Sequence, residues 1–398
     1  MAEARPSRAR LLWWLSLLFV GWMIWAETSF QYYDRGLGAD LDLSPAQLAM
    51  VGGAFLLPYS LVQIPVGWLL DRWPAERMLL CGVALAGLCS LGFAHADHFE
   101  GVLLQRLGLG LACAVAFPAS GLLARRSLPP RRFSLAMGAT DSLLGFGAAL
   151  AAVVPVVAAM PGWRPQVLLQ AAVLLVLVAL PLSLLQRWRV SPASSAGGTP
   201  PSASTAAAPA RWSRRARRSV LHAAAVYAWA GALLFGLGQY NLLSQLQHWS
   251  EGLMLAVTFV LSLALAAGML LAGGLGSLPR RRRPLLLGGS VLTLAALVVL
   301  LQPDAPGWLR LVAGAAFGLG LGPGVLAFPM AVAAAPSNRT ALVVATVNTA
   351  GTLAGAVLTL VSGWILQQAA DGAPVPVFFV YGPVAVAGIL LALVTPQR

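Results

Sequence analysis

Three ionisable residues stand inside long apolar runs of this sequence, and each needs a chemical reason to be there. Glu27 comes sixteen positions after Leu11, Arg106 seven after Phe99, and Asp141 eight after Phe133. A charge at the centre of a bilayer costs about 3 kcal/mol or more unless it meets a partner or water. A carboxylate so placed can take up and release a proton, and a guanidinium offers a permanent, bidentate fork to a carboxylate or phosphate. At a rise of ~1.5 Å per residue, Glu27 lies about 24 Å from the Leu11 end of its run and Arg106 about 10 Å from the Phe99 end. In a core ~30 Å thick the two come within about a turn of the same depth. That shared depth is compatible with a Glu27–Arg106 pair, in which protonation of Glu27 frees Arg106 for an anionic group. The alternative is a permanent ion pair that fixes helix packing. Asp141 lies among Gly138, Gly145 and Gly147, a pattern of close helix–helix contact. It reads as a second proton site, a substitute partner for Arg106, or a hydrogen-bonded packing acid.

Neutral polar residues in the same runs are candidates to line a cavity. They are Gln31, Tyr32, Tyr59 and Gln63 in the first part of the chain, and Tyr240, Asn241, Gln245 and Asn348 in the second. Tyr240 with Ser244, and Asn241 with Gln245, are i,i+4 pairs that share a helix face. Singly, each also reads as interhelical hydrogen bonding. A fourth locus is the charged turn Gly67-Trp-Leu-Leu-Asp71-Arg72-Trp-Pro-Ala-Glu-Arg77 between two apolar runs. Gly67 would let a neighbouring helix approach closely, and Asp71 could sit against the positive N-terminal end of another helix. Its arginines could meet lipid phosphate or carboxylates, or serve only to set topology.

Composition places these residues in a membrane protein. Of 398 residues, 59% are hydrophobic and 10% charged, against about 25% charged in a soluble domain. The net charge of +13 comes from arginine alone, clustered in short turns, as there is no lysine. That distribution matches topology signals and contact with anionic lipid rather than nucleic acid. Without lysine there is no Gly-x-x-x-x-Gly-Lys loop to cradle nucleotide phosphates. Cys81, Cys89 and Cys113 fall within apolar spans and read as small buried hydrophobes. No metal-ligand spacing or nucleophile–base constellation is present, so neither an enzyme nor a cofactor is expected. The arginine-only, alanine-rich usage points to a GC-rich bacterial genome, and hence to the inner (cytoplasmic) membrane.

Twelve apolar spans are expected, at about 11–33, 45–70, 77–94, 99–124, 133–160, 165–185, 219–247, 253–277, 284–302, 308–335, 340–368 and 375–395. Residues 187–218, rich in Ser, Pro, Ala and Gly with a basic end, read as a flexible linker between a bundle at 1–186 and another at 219–398. Acidic residues gather in alternate gaps (Asp34, Asp40, Asp42, Asp97, Glu100, Glu251, Asp304, Asp371). The other gaps and both termini hold most arginines, including Arg280–Arg283. The positive-inside rule then puts both termini and the linker in the cytoplasm.

The halves repeat one another. Gly67–Asp71 corresponds to Gly273–Ser277, Gly108-Leu-Gly-Leu to Gly318-Leu-Gly-Leu, and Phe117-Pro118 to Phe328-Pro329. Arg132 and Asp141 correspond to Arg339 and Asn348, so offsets stay between 206 and 211. The expected architecture is an all-α integral membrane protein of twelve transmembrane helices. They form two pseudo-symmetric six-helix bundles able to rock about a midplane site.

These residues resemble the major facilitator superfamily. The 6+6 layout, the Gly67…Asp71-Arg72 loop and Arg106-x-x-x-Gly110 carry the resemblance, which covers essentially the whole chain. It implies a secondary transporter, a monomer, in which Gly67, Asp71, Arg72 and Arg77 form a latch against the second bundle. The family usually continues Asp-Arg-x-Gly-Arg, whereas here Pro74-Ala75-Glu76 precede Arg77, and Ser277 replaces the acid in the second copy. Tyr59-Ser-Leu-Val-Gln63-Ile-Pro65 and Phe117-Pro118-Ala-Ser are similar to the bacterial anion:cation symporters. Those proteins carry Asp-Arg where this chain has Glu27-Thr28, and often a Glu near the position of Cys113. The resemblance implies proton-coupled uptake of a small organic anion, its partners being that substrate, protons and anionic lipid at the arginine-rich loops. Proton-driven efflux of drug-like or amphipathic metabolites and a transport-inactive receptor or scaffold are the alternatives.

Overall fold

Apolar runs of this length leave the backbone one way to satisfy its polar groups in lipid, by hydrogen bonding within each segment as a helix. A computed structural model describes residues 4–158, 160, 162–187, 212–239, 242–370 and 377–396, and these are helical throughout apart from turns. Eleven helices among the described residues are long and apolar enough to cross a membrane. They are α1 Arg8–Thr28, α2 Ala46–Leu70, α3 Ala75–His95, α4 Phe99–Ser127, α5 Pro130–Val157, α6 Trp163–Leu185, α7 Arg214–Leu246, α8 Glu251–Leu275, α9 Pro279–Leu300, α10 Gly307–Ala334 and α11 Ser337–Gln368. The last apolar helix, α12 Val377–Leu393, has 17 residues, short of the ~20 that an untilted span needs.

Most of the linker expected at 187–218 lies outside the described residues. Its basic end is not linker, because α7 begins at Arg214, where Ser213 caps the helix by accepting from the Ala216 N–H at 3.0 Å. The gap expected at 34–44 also differs. Phe30–Asp40 is a helix that buries Phe30, Tyr33 and Leu37 against Phe93 and Trp163. At its end Trp163 Nε1 donates to Asp40 Oδ2 at 3.1 Å and Arg164 pairs with the same carboxylate. Both hydrogen bonds hold the exposed Asp40 below the usual carboxylate range.

Helices pack in a repeated pattern. In the first half α1 lies on α4 and α5, α3 on α4 and α6, and α2 on α4. In the second half α7 lies on α10 and α11, α9 on α10 and α12, and α8 on α10. Adding six to each helix number converts one set into the other. The halves meet mainly through α2 with α11 and α5 with α8. A Cβ at Gly67 would fall 2.6 Å from Ala345 Cβ, and one at Gly138 would fall 3.0 Å from Gly273 Cα. These are equivalent contacts in the two copies, and only glycine allows backbones so close.

Breaks in three helices shape the interior. α2 is interrupted at Ala54–Phe55, α4 after Cys113, and α10 by a 3-10 stretch at Gly322–Leu326. Each break lies within a turn of a proline (Pro58, Pro118, Pro323), which lacks an N–H and crowds the carbonyl one turn earlier. Phe117 and Phe328, beyond the breaks in α4 and α10, meet with ring centroids 5.1 Å apart.

Candidate functional site: two cavities about Glu27

On the Asp71 side the halves are in contact. Asp71, at the end of α2, accepts from the N–H groups of Ala341 (2.9 Å) and Leu342 (3.1 Å) in the first turn of the α-helical part of α11, which starts at Thr340 after the 3-10 turn Ser337–Arg339. Those donors have no partner within their own helix, and the dipole there favours a negative charge. Burial raises the Asp71 pKa, while the two N–H groups and the charges of Arg339 and Arg126 pull it back. Arg72 and Arg77 do not take part. Arg72 folds back on its own helix, donating to the Trp68 carbonyl at 2.9 Å and stacking 3.8 Å over the Trp68 ring, and Arg77 is exposed. The charges that attend the junction are Arg126 and Arg339, near in space and remote in sequence. Among the described residues no hydrogen bond runs from the Ser277 side chain to α5, so the second copy of this junction has only its glycine contact.

At the opposite end a cavity of about 500 Å3 lies between the halves. Glu27, Phe30, Gln31, Asp34, Gly52 and Arg106 of the first half and Thr359 and Leu360 of the second are among its lining. A narrower pocket of about 40 Å3 continues toward the centre, bordered by Glu27, Tyr59, Tyr227, Asn348 and many apolar side chains. Glu27 borders both spaces. Its side chain is 9% exposed, and Oε2 accepts from the Thr28 hydroxyl at 3.2 Å.

Arg106 is 2% exposed, its Nε has no hydrogen-bond partner, and among the described residues no carboxylate lies within ion-pair distance of it, although its charge reaches Glu27 through space. The expected direct Glu27–Arg106 pair is thus absent. The two share a cavity wall without touching, since the guanidinium lies against aromatic rings, 4.8 Å from the Phe30 centroid and 5.5 Å from that of Phe55. This leaves a buried cation facing a cavity without a carboxylate bound to it.

Asp141 is fully buried and is not a partner of Arg106. Its Oδ1 accepts from the Tyr227 hydroxyl at 2.7 Å, and Oδ2 has no partner. Tyr227 belongs to α7, so this hydrogen bond crosses between the halves. The equivalent position, Asn348, also bonds across them, donating to Tyr59 Oη (3.1 Å) and Gln63 Oε1 (3.0 Å) on α2. Ser60 and Thr352 add a third link at 2.9 Å. Tyr59, Gln63 and Asn348 are therefore brought together, with Tyr59 and Asn348 on the central pocket.

Gln31 reaches the larger cavity, whereas Tyr32 packs against the core. Tyr240 and Asn241 lie outside the described residues. Gln245 is exposed and borders neither cavity, and Ser244 lines a separate pocket within the second half. Sequence reasoning missed Tyr227 and Thr359. Tyr227 carried the same signal as Tyr59, a phenol inside an apolar run; a threonine in a span carries almost none.

The sequence profile of the Major Facilitator Superfamily matches residues 9–359. The chain belongs to that superfamily. It is a multi-pass membrane protein of transporter type and not an enzyme. Its fold is similar to a crystal structure of an MFS transporter, FucP, in the outward conformation, with a TM-score of 0.69 at 15% identity over 96% of this chain and 99% of that one. Among curated relatives, it is 26% identical over 155 residues to the probable galactarate/D-glucarate transporter GudP of Escherichia coli, covering 35% of this chain and 33% of that protein. It is 28% identical over 135 residues to the probable sulfoacetate transporter SauU of Cupriavidus necator, covering 34% and 31%. It is 34% identical over 142 residues to the 3-(3-hydroxy-phenyl)propionate transporter of Escherichia coli, covering 36% and 34%. The matches span about a third of each relative's length.

Proposed function

We propose that this protein is a bacterial inner-membrane symporter that carries a small organic anion into the cell together with a proton, by alternating access. In this reading it has twelve spans in two bundles, 1–186 and 219–398, with the arginine-rich loops, the Asp71 junction and both termini in the cytoplasm. The observation that carries the proposal is the pairing of roles around one cavity. Arg106 is buried and unpaired on its wall, and Glu27 stands between that cavity and the central pocket. A buried cation whose nearest carboxylate, Glu27, acts on it through space without a hydrogen bond is only partly compensated, and a bound anion relieves the remaining cost. Once Glu27 takes up a proton it no longer competes with that anion for Arg106, so substrate and proton enter together with little net charge to bury. The relatives named above are named for acids, which supports an anionic substrate.

Closure of the cavity and opening at the Asp71 side would complete the cycle, breaking the Asp71–α11 hydrogen bonds and the cross-half links at Asp141 and Asn348. Asp141 is then a second proton site coupled to that opening. The test is proton movement in proteoliposomes of the purified protein, with no imposed gradient. Addition of an organic anion should alkalinise the outside. Glu27→Gln should lose accumulation driven by a pH gradient and keep substrate exchange. Equal loss of both would remove Glu27 from coupling, and proton release on adding cationic amphiphiles, with silence on anions, would replace symport by export.

A further inference from the structure

Apart from Glu27, the polar groups that border the central pocket are already hydrogen-bonded to other helices. Tyr227 donates to Asp141, Asn348 donates to Tyr59 and Gln63, and Thr352 is bonded to Ser60. What remains facing the space is hydrocarbon, from Val20, Met23, Ile24, Phe55, Phe235 and Leu265 among others. A hydroxyl carried there would lose its water and find a free partner only at Glu27.

Charge is equally restrictive. Among the described residues that line the two cavities, Arg106 is the one cation, and Glu27 and Asp34 are carboxylates. Phe30 and Phe55 lie against the guanidinium, which leaves its edge for a planar anion. One carboxylate is satisfied there. A second on the same molecule would find no further cation, with Asp34 repelling it and the protonated Glu27 offering one hydrogen bond at most.

We propose that the ligand of this site is a monocarboxylate with an apolar body, a short aryl or branched alkyl group, and that dicarboxylates and polyhydroxylated acids are rejected. The inference rests on Arg106 as the anion anchor of the function proposed above. The carboxylate meets the edge of Arg106, and the body runs past Phe30 and Phe55 toward the central pocket. Rejection follows from what the other acids would leave buried and unpaired, the kind of mismatch by which polar sites discriminate most strongly.

Counterflow exchange tests this without requiring proton coupling. Proteoliposomes of the full-length protein are loaded with phenylacetate near neutral pH, and entry of labelled phenylacetate is followed with isovalerate, adipate or a hexarate as external competitor. Protein-free vesicles give the baseline, because a protonated weak acid crosses lipid unaided. The expected result is protein-dependent exchange that isovalerate inhibits, with adipate and the hexarate at least about tenfold weaker. Competition by adipate or the hexarate as strong as that by isovalerate would overturn the proposal, as would the absence of protein-dependent phenylacetate exchange. Dicarboxylate exchange accompanied by proton uptake would sink this inference and leave symport standing. Monocarboxylate exchange without proton movement would do the reverse.

Discussion

Replacing Asp71 by Asn isolates the charge that joins the halves on their closed side. The carboxylate accepts one N–H on each oxygen, at 2.9 and 3.1 Å, from the first turn of α11. Asparagine keeps one acceptor and turns an N–H2 group toward the other donor, so one hydrogen bond is lost and the remaining one is no longer assisted by charge. A hydrogen bond to a charged group is worth about 1.5–3 kcal/mol, and a neutral one about 1 kcal/mol. Asp71 is only about half buried, so water competes and the lower end applies. A loss of about 1.5 kcal/mol shifts the equilibrium about tenfold toward the arrangement open on the Asp71 side. The assay is thiol labelling in a background with Cys81, Cys89 and Cys113 replaced. Val344→Cys provides the reporter, because Val344 is fully buried against Gly121 across the junction. Its labelling rate should rise about tenfold when Asp71→Asn is added, provided opening and closing are fast relative to the reaction. If Asp71→Asn and Asp71→Ala both leave that rate within about twofold, the contact contributes little, as exposed charges often do, and the latch argument fails.

Two other changes test the remaining contacts. Tyr227→Phe leaves buried Asp141 without its hydrogen-bond donor and should lower thermal stability in detergent, while adding Asp141→Asn should restore part of the loss; a double-mutant coupling below about 0.5 kcal/mol would mean that the two do not act as a pair. Thr359 Oγ1 lacks a partner and lines the larger cavity opposite Arg106, so Thr359→Val should weaken anion affinity in exchange by about three- to tenfold with the maximal rate kept, and an unchanged affinity would remove Thr359 from the site.

The helices were legible because apolar runs of membrane length leave few alternatives, and Glu27, Arg106 and Asp141 stood out against them by the cost of a charge in lipid. Their partners were not legible. Depth along a run says how far a residue lies from the surface, but not which way its helix is turned, so residues at similar depth share a wall without touching. Arg72 shows the same limit at the loop. It is the neighbour of Asp71 in sequence, and the turn sends its side chain back over Trp68, while Arg126 and Arg339 arrive from other helices. The Phe30–Asp40 helix was read mostly as a gap because its charges at Asp34, Arg35 and Asp40 masked the buried stripe of Phe30, Tyr33 and Leu37. Composition reports the average of a segment, and one face can be apolar when the average is not.

The internal repeat separates what the fold requires from what it carries. Where the halves agree, the shared residues are packing residues. Gly67 and Gly273 each admit the facing helix, and Phe117 meets its own counterpart Phe328. At four positions where they differ, the first half holds the charge. Asp71 corresponds to Ser277 and Asp141 to Asn348, Arg106 corresponds at the local offset to Ala316, and Glu27 falls on Leu233 or Leu234. A charge needed only to build the bundle should recur in both copies, as the glycines do. These four do not recur, and the three inside the spans, Glu27, Arg106 and Asp141, would cost the fold less as their neutral counterparts. The second half supplies neutral groups instead, Tyr227, Asn348, Thr359 and the N–H groups at the start of α11. Rocking then moves a neutral wall past fixed charges. Asp141→Asn, which copies the second half into the first, is expected to fold for that reason.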